Sequence, residues 1–181
     1  MGLVFLSDTA GQLDVIVQLF TDTFAASEGA DEGALIGDLS RNLMQTTPEN
    51  DLFVFLAHRD HTLVAAIIFS RLTYKADDRS VFVLGPVAVA TDQQGQGIGQ
   101  AILQHGLGKL TQAGVDVAVT YGDPTYYSKV GFEPVSQDAV AAPFDLQYPQ
   151  GWLAQSLTGG PLSTLAGPCT CVPAFDDPAF W

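Results

Sequence analysis

The stretch Asp92–Leu103, DQQGQGIGQAIL, places glycine at three alternate positions, 95, 97 and 99, with an apolar helical pattern directly behind them. Glycine is the poorest helix former after proline, so three at the mouth of a helix call for a reason. They read in two ways: as a flexible turn, or as space cleared for a group that must approach the backbone closely. Behind them Gly99, Ile102, Leu103, Gly106, Leu107 and Leu110 form one helical stripe, which Gly114 stops. Ahead of them Val81–Val89 reads as a long strand interrupted by Gly85-Pro86. Proline removes a ladder donor, so the pair marks a bulge or a splay. A strand, a glycine turn and a helix together make an anion site. The first helical N–H groups lack intrahelical partners, and the helix dipole adds partial positive charge.

The elements outside this unit follow from periodicity. Leu3–Leu6 reads as a short strand. Asp8 or Thr9 then caps a helix whose face is Leu13, Ile16, Val17, Phe20 and Phe24. AASEGADEGA is a polar break, and Leu35, Ile36, Leu39 and Leu43 mark a second helix ended by TTPEND. Leu52–Ala57 and Thr62–Leu72 are β-rich, with HRDH as a hairpin turn between them and TYKADDRS as a second turn. After the glycine helix come a buried strand, Val115–Tyr121, a loop with a short helix, GDPTYYSKVGF, and a strand at Phe132–Val135. The order β-α-α-β-β-β-α-β-α-β is a hairpin meander followed by a β-α-β unit. It predicts an α/β fold with a mixed sheet and helices on both faces. Residues 1–136 form the core domain. Residues 137–181 form an irregular C-terminal extension rich in Pro, Gly and aromatics, packed on the same domain or covering a partner in a homodimer.

Composition narrows the function classes. The chain has 181 residues, 47% of them hydrophobic and only 15% charged, which suits a folded domain rather than a disordered one. Lys and Arg number 7 against 20 Asp and Glu, for a net charge of -13. Nucleic acid and anionic membrane are excluded as partners, because both need clustered cations. The acidity reads as a solubility device or as attraction for a cationic substrate. MGLVFLSDTAGQLD lacks the basic region of a signal peptide. The longest apolar stretch, Leu63–Phe69, is too short to span a bilayer. A cytoplasmic location is expected, with Cys169 and Cys171 as free thiols. No metal is expected. His58 and His61 sit in a turn with no third ligand, and His105 is a partly exposed helix residue.

Two phosphate motifs fail on the glycine stretch. The dinucleotide fingerprint needs glycine where Gln100 or Ile102 stands, and the Walker pattern fails because Leu110 follows Gly108-Lys109. A third pattern fits. Gln94-Gly95-Gln96-Gly97-Ile98-Gly99 matches Q/R-x-x-G-x-G/A and resembles the acetyl-CoA pyrophosphate loop of the GNAT family of N-acetyltransferases. LGPVAVATDQQGQGIGQAIL resembles that family's fourth strand, loop and third helix, and GDPTYYSKVGF resembles its Y-x-x-x-G-F signature. The G-P-x-A-V and G-D-P-x-Y-Y variants are similar to a subgroup of small bacterial predicted acetyltransferases. The resemblance covers about Val81–Val135 closely and extends in element order from Leu3.

The resemblance implies an acyltransferase on a GNAT-type fold, with acetyl-CoA as co-substrate and a small-molecule or peptide amine as acceptor. It implies that Val87, Ala88 and Val89 offer backbone groups to the pantetheine arm, one N–H polarising the thioester carbonyl. Gln94, Gly95, Gln96, Gly97, Ile98, Gly99 and Gln100 would hold the pyrophosphate. It implies that Tyr127, four residues before Gly131, protonates the leaving thiolate, while Tyr126 packs. Some members place a glutamate base on the strand before the loop, but Val81–Val89 holds no carboxylate. Glu28, Asp31 and Glu32, or ordered water, remain open for that role. Many members carry a cation within the loop; Gln96 stands here, and Lys129 is a candidate substitute. The alternative to an enzyme is a non-catalytic acyl-CoA sensor or interaction module on the same fold.

Overall fold

The computed structural model describes residues 2–181. Eight strands form one mixed sheet flanked by helices. In chain order they are β1 (Val4–Leu6), β2 (Leu52–Arg59), β3 (Thr62–Tyr74), β4 (Asp77–Val89), β5 (Val117–Tyr121), β6 (Glu133–Pro134), β7 (Trp152–Ser156) and β8 (Cys169–Cys171). The helices are α1 (Leu13–Glu28), α2 (Ala30–Thr46), α3 (Ile98–Gln112) and α4 (Pro124–Tyr127). The sheet order is β1-β2-β3-β4-β5-β7-β6, and β8 pairs with β3. The β4–β5 pair is parallel, as a crossover through α3 requires. The chain packs as two compact units: one runs to Phe69 and includes Pro86–Gly106, the other comprises Ser70–Gly85 and Leu107–Trp181.

In the first unit most of the helical face read from sequence turns inward, with Ile16, Phe20 and Leu43 fully enclosed, but Leu35 is exposed. Two expectations change. Helix α1 begins at Leu13, not at a cap on Asp8 or Thr9. The Asp8 carboxylate instead accepts from Ala10 N at 2.9 Å, and Gln12 Nε2 donates to Asp8 O at 3.0 Å, which closes a turn ahead of the helix. The polar break between the helices contracts to one residue, Gly29, at φ 102°. Ala25 and Ala30 are good helix formers, and Asp31 and Glu32 fall in the first turn of α2, where the helix dipole favours acids. Glu28, Asp31 and Glu32 are therefore helix-end residues, not loop residues.

Helices α1 and α2 meet through glycines. A Cβ on Gly33 would lie 2.6 Å from Thr21 O and 2.7 Å from Ala25 Cβ. A Cβ on Gly37 would run into Thr21 Oγ1. Alanine gains about 1 kcal/mol over glycine in helix propensity, but forcing a methyl onto backbone atoms costs about 1–3 kcal/mol. Gly33→Ala is therefore expected to lower the melting temperature, as a thermal melt followed by circular dichroism would show.

Both hairpin turns are tighter than the polar stretches suggest. The β2–β3 turn is Asp60-His61, with φ at 50° and 65°. Two left-handed central residues match the twist of the flanking strands, and aspartate tolerates that region better than most residues. His58 and Arg59 are therefore strand residues. The β3–β4 turn is Lys75-Ala76, and Asp77 already belongs to β4. Asp77 and Arg79 of TYKADDRS stay extended as a pair, and the Ser80 backbone is tied to Asp116. Arg79 Nη2 meets Asp77 Oδ2 at 2.6 Å, and Ser80 N donates to Asp116 Oδ2 at 2.8 Å. The Arg79 hydrogen bonds hold the Asp77 carboxyl below its ordinary range.

In the second unit the residues after Gln137 complete the sheet. Strand β7 lies between β5 and β6, from Val117↔Ser156 to Tyr121↔Trp152 on one side and Glu133↔Ala154 and Pro134↔Leu153 on the other. Three aromatics of the extension, Trp152, Phe175 and Trp181, are buried, whereas Tyr148 is exposed. Trp152 is fully buried and Trp181 is 2% exposed. Trp152 Nε1 donates to Val140 O at 2.8 Å, and Trp181 Nε1 donates to Phe175 O at 3.0 Å. Cys169 and Cys171 are free, and burial pushes each thiol up to about 11, so both are protonated and weakly nucleophilic near neutrality.

Candidate active site

Registered pairing between β4 and β5 runs from Val81↔Val117 to Leu84↔Thr120 and stops there. Gly85 follows at φ 156°, then Pro86, which has no N–H to donate. The strands part at the Gly-Pro pair, as the sequence suggests. Beyond it Ala88 is buried, while Val87 and Val89 remain partly exposed. The chain leaves the strand through a short 3₁₀ turn, Thr91–Gln93. Gln94 Nε2 then reaches back to Val89 O at 3.0 Å and fixes where the loop begins.

Gly95 and Gly97 both take left-handed conformations, at φ 74° and 78°. A Cβ built on either meets nothing within 4 Å. The backbone conformation, not packing, demands glycine at these two positions, and the space in front of them is open. Gln94, Gly95, Gln96 and Gly97 are exposed, whereas Ile98 and Gly99 are buried and Gln100 is half-buried. Helix α3 starts at Ile98, and its first intrahelical bond in line is Ala101 N to Gly97 O, 3.0 Å. The N–H groups of Ile98, Gly99 and Gln100 precede that bond and have no acceptor within the helix. The helix is held close to its strands at Gly106, where a Cβ would lie 2.8 Å from Ile67 Cδ1 and 3.1 Å from Phe55 and Phe69. His105 stacks on Phe5 at 4.6 Å between ring centroids.

One residue of this site escaped the sequence reading. Arg59, the last residue of β2, donates from Nη1 to Gln93 Oε1 at 2.9 Å and to Gln96 Oε1 at 2.8 Å. HRDH looked like a four-residue turn, which hid Arg59 among loop residues. The signal that could have found it is the absence of any cation inside Gln94–Gly99, combined with a two-residue turn that returns Arg59 to the strand. Lys129, the cation considered from sequence, is exposed on the turn after α4.

The second unit positions Tyr127. The Asp123 carboxylate accepts from Thr125 N at 2.9 Å and caps α4, with Pro124 in the first turn. The chain tightens to a 3₁₀ turn over Ser128–Val130 and ends at Gly131, φ 98°. The Tyr127 ring is partly buried and lies edge-on to Tyr126 at 5.1 Å and to Phe132 at 6.0 Å. Gly122 leaves room for it: a Cβ there would sit 2.7 Å from Tyr127 Cε2. Burial raises the Tyr127 phenol well above its ordinary value; the nearby Tyr126 and Asp123 add to this, and a hydrogen bond with the Thr120 side chain opposes it. The phenol therefore keeps its proton at neutral pH and can act as a donor. Thr120 is itself buried, and its Oγ1 donates to Leu84 O at 3.1 Å, the last paired residue of β4.

Beside Gly122 lies a cleft of about 300 Å³ lined by Tyr121, Gly122, Pro124, Tyr148, Gln150 and Gly151. Its backbone floor is fixed by Gly122 N donating to Gly151 O at 2.9 Å, and its rim by Tyr148 N donating to Tyr121 Oη at 2.6 Å. No group of three or more His, Cys, Asp and Glu among the described residues could hold a metal ion. No described helix is long and apolar enough to cross a membrane.

Comparison with known proteins agrees with this geometry. Residues 50–134 match the acetyltransferase (GNAT) domain. The uncharacterized N-acetyltransferase YjhQ of Escherichia coli K12 is 32% identical over 139 residues, covering 74% of this chain and 76% of the relative. A GNAT acetyltransferase from Brucella melitensis, solved with acetyl-CoA, superposes with a TM-score of 0.76 at 22% identity, over 97% of this chain and 99% of that one. YhbS of Escherichia coli, solved with CoA, gives 0.78 at 19% identity, over 97% of this chain and 92% of that one. The parted strands, the glycine turn opening α3 and the Tyr-Gly-Phe segment thus sit in a chain that belongs to the GNAT acetyltransferase family, and it is an acyltransferase.

Proposed function

We propose that the chain transfers an acetyl group from acetyl-CoA to a primary amine of a small molecule or peptide, by direct attack within a ternary complex. The observation that carries this is the Gln94–Gly99 loop, whose left-handed glycines leave open space in front of unpartnered helix N–H groups. That is a seat for a diphosphate. Backbone groups of Val87–Val89, beyond the point where β4 leaves β5, would hold the pantetheine arm and polarise the thioester carbonyl. When bound, acetyl-CoA supplies the acetyl carbon and a thiolate leaving group. The acceptor ammonium first loses a proton to solvent; the amine nitrogen then bonds to the carbonyl carbon as the C–S bond breaks and loses a second proton, while the Tyr127 phenol delivers one to the departing sulfur and regains one from solvent. The net charge of -13 favours an ammonium acceptor and solubility, and the free cysteines suit a cytoplasmic setting. The cleft lined by Tyr121 and Tyr148 would be a place for such a cation.

A second reading, an acyl-CoA sensor without turnover, is favoured by the absence of any carboxylate over Val81–Val89, where a base would stand. Free thiol released from acetyl-CoA distinguishes the two. The protein is expected to release thiol with at least one member of a panel of diamines, amino sugars and lysine peptides. Tight CoA binding with no release for any of them would establish the sensor instead.

A further inference from the structure

We propose that Arg59 is a diphosphate-binding residue, the cation of a loop that carries none of its own. The inference rests on reading Gln94–Gly99 as the CoA diphosphate seat. Those six residues contain no Lys or Arg, and the chain's net charge of -13 opposes a polyanion. Arg59 arrives from a different element, the end of β2, and lies against the second variable position of the loop through its 2.8 Å bond to Gln96.

The manner in which Arg59 is held separates it from other arginines in the chain. Arg41 is paired with the Asp14 carboxylate at 2.9 Å, and Arg79 with Asp77 at 2.6 Å. Arg59 is gripped by two neutral amides, Gln93 and Gln96, and both use the same nitrogen, Nη1. Neutral acceptors orient a guanidinium without cancelling its charge. Both bonds leave Nη2 out, and Nε is buried with no partner among the described residues. A buried donor without an acceptor costs free energy, and a fork with spare donors is suited to phosphate oxygens. An arginine serving only to brace the hairpin would be expected to meet a carboxylate, which this acidic chain has in excess.

Isothermal titration of CoA and of dephospho-CoA, each at low and high ionic strength, tests the assignment. Arg59→Gln is expected to weaken both ligands about tenfold at low salt, the scale of one charge-assisted contact, with a shallower salt dependence than wild type. Arg59→Lys keeps the charge but not the fork and is expected to fall between the two. It also covers the case in which the glutamine variant does not fold. The inference is overturned if Arg59→Gln binds CoA as wild type does. It is equally overturned if the loss comes with an unchanged salt slope, which marks a brace, or spares dephospho-CoA, which marks the 3′-phosphate. Wild-type protein that binds neither ligand would refute the loop reading itself, a different failure from a wild-type-like Arg59 variant.

Discussion

Gly97→Val is expected to abolish CoA binding, by at least about 100-fold in affinity or ~2.7 kcal/mol, while leaving a folded protein. Two effects act together. The backbone at position 97 lies at φ 78°, a region where a β-branched side chain is strained, by roughly 1–2 kcal/mol. The loop escapes that strain by changing its conformation, which turns the N–H groups away from their common focus. Should it stay in place, the valine methyls occupy open space, since beyond the adjoining residues nothing lies within 4 Å of the Cβ position. That same openness and exposure explain why the fold survives: no packed neighbour is displaced. Calorimetric titration with CoA beside a thermal melt checks both halves, and unchanged affinity would place the diphosphate elsewhere.

Tyr127→Phe is expected to lower kcat by about 10²–10⁴, the range for loss of a general acid, with CoA affinity retained. Phenylalanine keeps the ring that packs against Gly122, Tyr126 and Phe132. It deletes only the hydroxyl and its hydrogen bond with the Thr120 side chain. The sign of the pH effect follows from the raised phenol. The group is an acid that works when protonated, and burial holds its titration above the reference value of 10. No alkaline loss of rate assignable to this group is therefore expected between neutrality and pH 10. Rates at saturating acetyl-CoA across that range, for wild type and variant, measure both. A variant that turns over like wild type would sink the acid role.

What could be read from the sequence was local. The glycines at 95 and 97 announce their backbone angles, because few other residues take them, and Gly85-Pro86 announces a parting strand by removing a donor. Hydrophobic spacing located the buried faces of α1, α2 and α3. Several polar stretches that read as loops are held in regular structure by hydrogen-bond partners. Asp77 and Arg79 satisfy each other within β4. Arg59 finds Gln93 and Gln96, more than 30 residues away. The stretch after Gln137 shows no clear period because its order comes from long-range pairing with β5 and β6 and from indoles donating to distant carbonyls. The long-range bonds leave no trace in a local window.

The position of β7 also sets a timetable for synthesis. In the sheet it stands between β5 and β6, yet it follows both in the chain. A nascent polypeptide emerging N-terminus first presents the glycine turn and α3 early, and β6 then has no neighbour until Trp152–Ser156 leaves the ribosome. The segment carrying Tyr127 lies between β5 and β6, and Gln155 on β7 steadies it by donating from Nε2 to Val130 O at 3.1 Å. A ribosome stalled before that glutamine therefore holds a chain in which the segment carrying Tyr127 lacks this contact. On the proposed function, the residue that would protonate the thiolate is therefore steadied only after β7 has been made.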